Sequence, residues 1–206
     1  VGSEMCIRDS VPHRFVVSGA DTGNAVRRLN MQMLTPGANA TTAAASGRTF
    51  EKPEDFVNAL WPHAREAAAE IGADPKILIA QAALETGWGR SVVRTGKDQV
   101  SHNLFGIKAD RSWNGQRVTT RTLEYTGDIP VQTKAAFRAY SNYGESFKDY
   151  VNFLKSNPRY SKAIDNAHNP HRFMASLQKA GYASDPAYAR KVLSLYRHDA
   201  LNKLTA

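Results

Sequence analysis

The sequence predicts a mainly α-helical (α+β) domain carrying one small β-hairpin, and three observations predict it. From Phe50 onward, apolar residues recur at helical spacing over most of the chain, as the buried face of a helix requires. Helix starts are marked at Asp74-Pro75, Asn169-Pro170 and Asp185-Pro186. In each pair the first side chain can accept from free N–H groups, and proline supplies a helical φ where no donor is needed. One segment, "RVTTRTLEYTGDIPVQTKAAFRAY", instead gathers Thr, Val, Leu, Tyr and Phe around a Thr-Gly-Asp turn, the pattern of a hairpin.

Residues 1–49 stand apart. "LTPGANATTAAASGRT", residues 34–49, is small, polar and punctuated by Gly and Pro, which predicts a flexible linker. "VGSEMCIRDS" fits nothing downstream and reads as a non-native remnant, and Arg14–Met33 reads as the end of an upstream domain. The folded domain is therefore expected over 50–206. Its first helix starts near Pro53, with Glu54 and Asp55 in the first turn and Phe56, Leu60, Ala64, Ala67 and Ile71 on one face. Pro62 lies within that stretch and predicts a kink or a break. Gly72 ends it. Asp74 and Pro75 start a second helix with Ile77, Ala80/Gln81, Leu84 and Trp88 on its buried face. After the hairpin, "GESFKDYVNFLKSNP" places Phe147, Tyr150/Val151 and Leu154 on one helix face. A further helix runs from Asn169-Pro170 to Gly181, and the last from Asp185-Pro186 towards Leu204.

Composition narrows the function classes. Of 206 residues, 42% are hydrophobic, enough for a core, and 22% are charged, an ordinary globular balance. No apolar run reaches the 18 or so residues of a membrane span, and no secretory signal pattern opens the chain. A single cysteine, Cys6, excludes an internal disulfide and cysteine-rich zinc modules. The net charge is +8, and from Phe50 onward 22 Lys/Arg stand against 16 Asp/Glu. This favours acidic partners such as a wall polymer, anionic lipid or nucleic acid. The basic residues are scattered, so a nucleic-acid stripe is not expected. His63, His102, His168 and His171 have no metal-ligand spacing. Gly96-Lys97 lacks the rest of a phosphate-binding loop, and no G-x-S-x-G elbow occurs. Neither a metal nor a cofactor is expected.

Glu85, in "IAQAALETGWGRS", has a setting that suits chemistry. It stands at a helix carboxyl end, where partial negative charge disfavours a second one. Ala82, Ala83, Leu84 and Trp88 are apolar neighbours. Both effects favour a protonated carboxyl, the form a general acid needs. Gly87 and Gly89 permit a sharp reversal and close approach of a ligand. Hydrolysis of a sugar linkage usually employs a second carboxylate. Glu124, in the first arm of the hairpin, is the leading candidate, with Asp110 and Asp128 as competitors. Trp88, Phe105, Trp113, Tyr140, Tyr143, Tyr182 and Tyr188 could stack on the apolar faces of sugars, although each taken singly also suits a core.

Four ordered motifs, "LIAQAALETGWGRS", "SHNLFGIKA", "FRAYSNYGESFKDYVNFLKSNPRY" and "AGYASDPAYARKV", give the stretch from Phe50 to Leu204 a specific resemblance. It resembles the carboxyl-terminal glucosaminidase domain of the FlgJ family of flagellar peptidoglycan hydrolases. The resemblance implies a lysozyme-like helical fold, with a hairpin lobe flanking a glycan cleft. It also implies cleavage of the β-1,4 bond between N-acetylglucosamine and N-acetylmuramic acid. Glu85 falls on the family's general acid and Glu124 on its second carboxylate. Tyr182 falls on a tyrosine that positions the acetamido group or the reacting water. Asn103 and Phe105 are expected to shape the cleft floor, and Trp88, Tyr140 and Tyr143 to contact the glycan. The expected partner is the peptidoglycan strand, met by a monomer in the periplasm, without nucleic acid or membrane. Rod proteins are expected to meet an amino-terminal capping domain of the kind two-domain relatives carry. A lytic transglycosylase or muramidase on the same fold, and a non-catalytic wall-binding module, are the competing readings.

Overall fold

The computed structural model describes residues 50–95, 99–126, 129–183 and 185–203, with the side chains of 121–133 left outside that description. The expected linker, Gly96-Lys97, Asp128 and Leu204 therefore lie outside the described residues. Pro53 opens helix α1 (Pro53–Ala69), and Glu54 and Asp55 occupy its first turn, where unbonded N–H groups attract negative charge. Of the kink or break expected at Pro62, the break does not occur, since α1 runs unbroken to Ala69. Pro62 and Asn58, whose carbonyl loses its helical donor, are both exposed, so water can serve that carbonyl. Leu60, Ala64 and Ala67 meanwhile hold the opposite face in the core. Gly72, at φ +66°, turns the chain out of the helix, and the Ala73 N–H closes the end on the Ala68 carbonyl at 2.9 Å. Only a residue without Cβ takes that conformation cheaply.

Helix α2 (Pro75–Thr86) begins as expected, with Asp74 Oδ1 accepting from the Lys76 N–H at 2.9 Å. A single buried face was expected, but residues 77–83 are all buried. Its sequence is apolar on every side, as suits a helix surrounded by others. Ile77, Leu78 and Ile79 are fully enclosed, and each such side chain contributes about 1.5–3 kcal/mol on leaving water. Helix α1 packs on α2 and on α3 (Tyr143–Ser156). After α3, a short 3-10 turn (Pro158–Tyr160) leads into α4 (Ser161–Asp165), and both pass unmarked in the periodicity. Helix α5 (Pro170–Lys179) begins at the Asn169 cap and is followed by Gly181 at φ +74°, as expected.

The last expected helix is two. Asp185 caps a turn rather than a helix, accepting from the Ala187 N–H at 2.8 Å and pairing with Lys191 at 2.6 Å. Helix α6 begins at Tyr188, ends at Tyr196, and packs against α2 and α5. His198 is in extended backbone, and its Nδ1 accepts from the Ala200 N–H at 3.2 Å to start α7 (Asp199–Asn202). Histidine is a rare cap, which is why the helical periodicity runs through it unnoticed. Strands β1 (Arg117–Thr126) and β2 (Ile129–Arg138) form the antiparallel hairpin, paired from Arg117–Arg138 at the base to Thr126–Ile129 beside the turn. The mainly helical class with one two-stranded sheet is as expected. Among the described residues no helix is long and apolar enough to cross a membrane.

Candidate active site

Glu85 is the penultimate residue of α2, and the chain reverses immediately behind it. Gly87, Trp88 and Gly89 have φ of +57°, +60° and +81°. The Trp88 N–H closes the helix on the Ala83 carbonyl at 3.0 Å, and Thr86 Oγ1 accepts from the Gly89 N–H at 2.8 Å. A tryptophan at positive φ is costly, and such strain gathers at functional sites. The Trp88 ring rests against Phe56 and, 4.9 Å away, His198. At Gly89, an added Cβ would stand 2.4 Å from the Phe50 ring and 2.9 Å from Phe56. Gly89→Ala is therefore expected to cost about 2–4 kcal/mol, from strain at positive φ together with overpacking. Chemical denaturation of the variant beside wild type measures that difference. An unchanged midpoint would show that Phe50 gives way.

The Glu85 side chain is half-buried, with Oε1 shut off from solvent. Beneath it lies a set of enclosed tyrosines. Tyr150, Tyr182 and Tyr188 have essentially no exposure, and Tyr182 has its ring centroid 6.1 Å from that of Tyr150 and 5.5 Å from that of Tyr188. The Tyr182 hydroxyl reaches the Phe105 carbonyl at 3.4 Å. Burial pushes the Tyr182 hydroxyl well above the ordinary tyrosine value, with neighbouring tyrosines and the Glu85 charge adding to the shift. Burial likewise raises Tyr150, again with a contribution from Glu85. Both hydroxyls therefore stay protonated, and each has an acceptor in place, Gln81 Oε1 at 2.9 Å for Tyr150 and the Phe105 carbonyl for Tyr182.

The other expected residues divide by exposure. Asn103 is buried and braces a loop: its Nδ2 donates to the Ile107 and Arg138 carbonyls, both at 2.9 Å, and Oδ1 accepts from the Ile107 N–H at 3.1 Å. Phe105 is fully enclosed, stacked 4.0 Å from Tyr150. These two act on the site from behind its surface. Tyr140 is also buried, donating to Asp149 Oδ2 at 2.7 Å. Tyr143 and Trp88 are half-buried and keep ring surface exposed, Tyr143 packing 4.8 Å from His102. Glu124 pairs with Val131 in the hairpin, and its side chain lies outside the described residues. Of its competitors, Asp110 is committed elsewhere. Burial tends to raise its pKa, yet hydrogen bonds from Ser112 and the charge of Arg138 hold the carboxyl below the usual range.

Residues that the sequence pattern did not single out join these parts. Arg138, nearly buried at the end of β2, donates from its Nη1 to both Asp149 carboxylate oxygens of α3, at 3.1 and 3.0 Å, and stacks 4.6 Å from the Trp113 ring. This anchors the hairpin base to the helical body. Gln81, one helical turn before Glu85, is fully enclosed among the tyrosines. A polar residue inside the apolar run "LIAQAALE" is the signal that could have marked it.

The match to the family described as mannosyl-glycoprotein endo-beta-N-acetylglucosaminidase covers residues 61–201. The chain is 45% identical to the peptidoglycan hydrolase FlgJ of Vibrio parahaemolyticus, over 94% of this chain and 62% of that protein. It is 51% identical to FlgJ of Pseudomonas aeruginosa, over 72% of this chain and 37% of that protein. It thus spans less than two thirds of these curated relatives' length. Among solved structures, it resembles a peptidoglycan hydrolase from Sphingomonas sp. A1 with a TM-score of 0.64 at 40% identity, covering 73% of this chain and 91% of that one. The glycoside hydrolase domain of Salmonella typhimurium FlgJ matches with a TM-score of 0.61 at 38% identity, covering 75% and 91%. The helical body and hairpin lobe match the fold of these solved hydrolase domains. The chain belongs to the glucosaminidase family.

Proposed function

We propose that this enzyme hydrolyses the β-1,4 bond between N-acetylglucosamine and N-acetylmuramic acid in peptidoglycan, with Glu85 as the general acid. The observation that carries the reading is Glu85 itself, half-buried at the negative end of α2 above protonated tyrosines. Such a carboxyl can deliver a proton to the leaving glycosidic oxygen as the bond to the anomeric carbon breaks. The positive charge that develops on the sugar is met by Glu124, or by the substrate's own acetamido oxygen. Water then completes the hydrolysis. Trp88 and Tyr143 offer their exposed ring surface to the sugars. Relatives named for peptidoglycan and the flagellar protein FlgJ support action in the periplasm, opening the wall for the rod. Digestion of purified peptidoglycan tests the reading. New reducing N-acetylglucosamine ends are expected, and anhydro-muramic ends would identify a lytic transglycosylase instead.

Tyr182 acts from beneath the acid, since its ring is fully enclosed. Tyr182→Phe removes one hydroxyl and no volume. It should lower kcat by about 100-fold, the usual loss for one donor serving a transition state, while KM changes little. An unchanged kcat would remove the Tyr182 hydroxyl from the reaction.

A further inference from the structure

The geometry points to Gln81 as a positioning residue, whose side-chain amide ties Tyr150 and Tyr188 into a clamp that fixes the Tyr182 ring. The inference rests on the reading that Glu85 and Tyr182 carry the reaction. Tyr150 donates its hydroxyl proton to Gln81 Oε1 at 2.9 Å, and Gln81 Nε2 donates to the Tyr188 oxygen at 3.1 Å. One planar amide therefore joins side chains 69 and 107 residues away in sequence. Those two rings are among the three that flank Tyr182, edge-on at 86° from Tyr150 and tilted at 34° towards Tyr188, with Tyr160 the third at 6.1 Å. The Tyr182 hydroxyl itself donates to the Phe105 carbonyl at 3.4 Å, so the clamp acts on Tyr182 through the rings packed around it.

Gln81 is four residues before Glu85 on α2, and side chains at that spacing share a helix face. The amide and the acid are thus fixed by the same helix. Gln81 is fully enclosed, so it touches no substrate and acts only through the tyrosines. A buried amide is costly unless both its ends are bonded. Here each end holds one jaw of the clamp. Small displacements of a catalytic hydroxyl are expensive in rate, which gives this placement a function beyond packing.

A double-mutant cycle tests the clamp with the full chain on purified peptidoglycan. Gln81→Met keeps the volume and removes both bonds. In the wild-type background it should lower kcat about tenfold with KM within about twofold, the scale of coupling through residues that do not contact the ligand. In the Tyr182→Phe background the same substitution should cost less than about twofold, because the group it positions is gone. Equal losses in both backgrounds, or no loss in either, would overturn the clamp while leaving Tyr182 in place. Wild-type turnover by Tyr182→Phe alone would overturn the assignment of Tyr182, and the clamp with it. Should Gln81→Met fail to fold, Tyr188→Phe, which removes only the oxygen that Gln81 donates to, is put through the same cycle with the same outcomes.

Discussion

Glu85→Gln is expected to abolish turnover, by at least about 10⁴-fold, in protein that folds and melts normally. The amide is nearly isosteric with the carboxyl but cannot give a proton to the leaving oxygen, and general acid catalysis accounts for roughly 10²–10⁴ of rate. The upper end applies because the leaving group is a sugar alkoxide, which departs poorly without a proton. Stability should move little, and upward if at all. Glu85 is the penultimate residue of α2, whose end carries partial negative charge. The amide carries no charge at any pH, so the variant is free of the repulsion, up to about 0.3–1 kcal/mol, that the helix end exerts on an ionised carboxyl. Loss of activity with an unchanged or raised melting temperature therefore separates a catalytic role from a structural one. Retention of more than a tenth of wild-type turnover would remove Glu85 from the acid role.

Legibility in the sequence followed the range of the interactions. Asp74-Pro75 and Asn169-Pro170 start helices where the pattern predicts, because a cap and its N–H partner lie within three residues. Pro62 and Asp185-Pro186 misled for a shared reason: local chemistry was overruled by surroundings. The carbonyl freed at Pro62 belongs to exposed Asn58 and is open to solvent, and Lys191 pairs with Asp185 in its turn. Glu85 was legible because its helix end, apolar neighbours and glycine turn are all within a few residues. Gln81 was not, since its partners are brought in by α3 and α6. Nor was the pairing of Arg138 with Asp149, which needs the hairpin base seated on α3. Apolar periodicity reports that a residue is buried, and a polar residue's task depends on what it meets there.

Glu124→Gln should also lose activity severely, by about 1,000-fold, within the range of a positioned carboxylate, but less than Glu85→Gln if the substrate acetamido group supplies the nucleophile. The argument is one of leverage. Glu124 stands seven residues beyond Arg117 in β1, which at ~3.3 Å per residue is about 23 Å from the hairpin base. Among the described residues each strand packs extensively only on the other, and the anchoring bonds gather at the base. There Arg138 holds Asp149, the Ala109 N–H bonds the Ala136 carbonyl at 2.8 Å, and the Arg138 N–H bonds the Ile107 carbonyl at 3.0 Å. A 10° tilt about that base carries Glu124 through ~4 Å, comparable with the gap between the retaining (~5–5.5 Å) and inverting (~6.5–9.5 Å) carboxyl spacings. Substrate binding is expected to close the lobe, bringing Glu124 towards the bond and excluding water. Without ligand, the two carboxyls should then stand more than about 10 Å apart. A ligand-free crystal structure with Glu124 already inside that distance would remove the need for closure. Unimpaired Glu124→Gln would go further, sinking the two-carboxylate scheme and leaving Glu85 to work with Tyr182 and the substrate's own acetamido group.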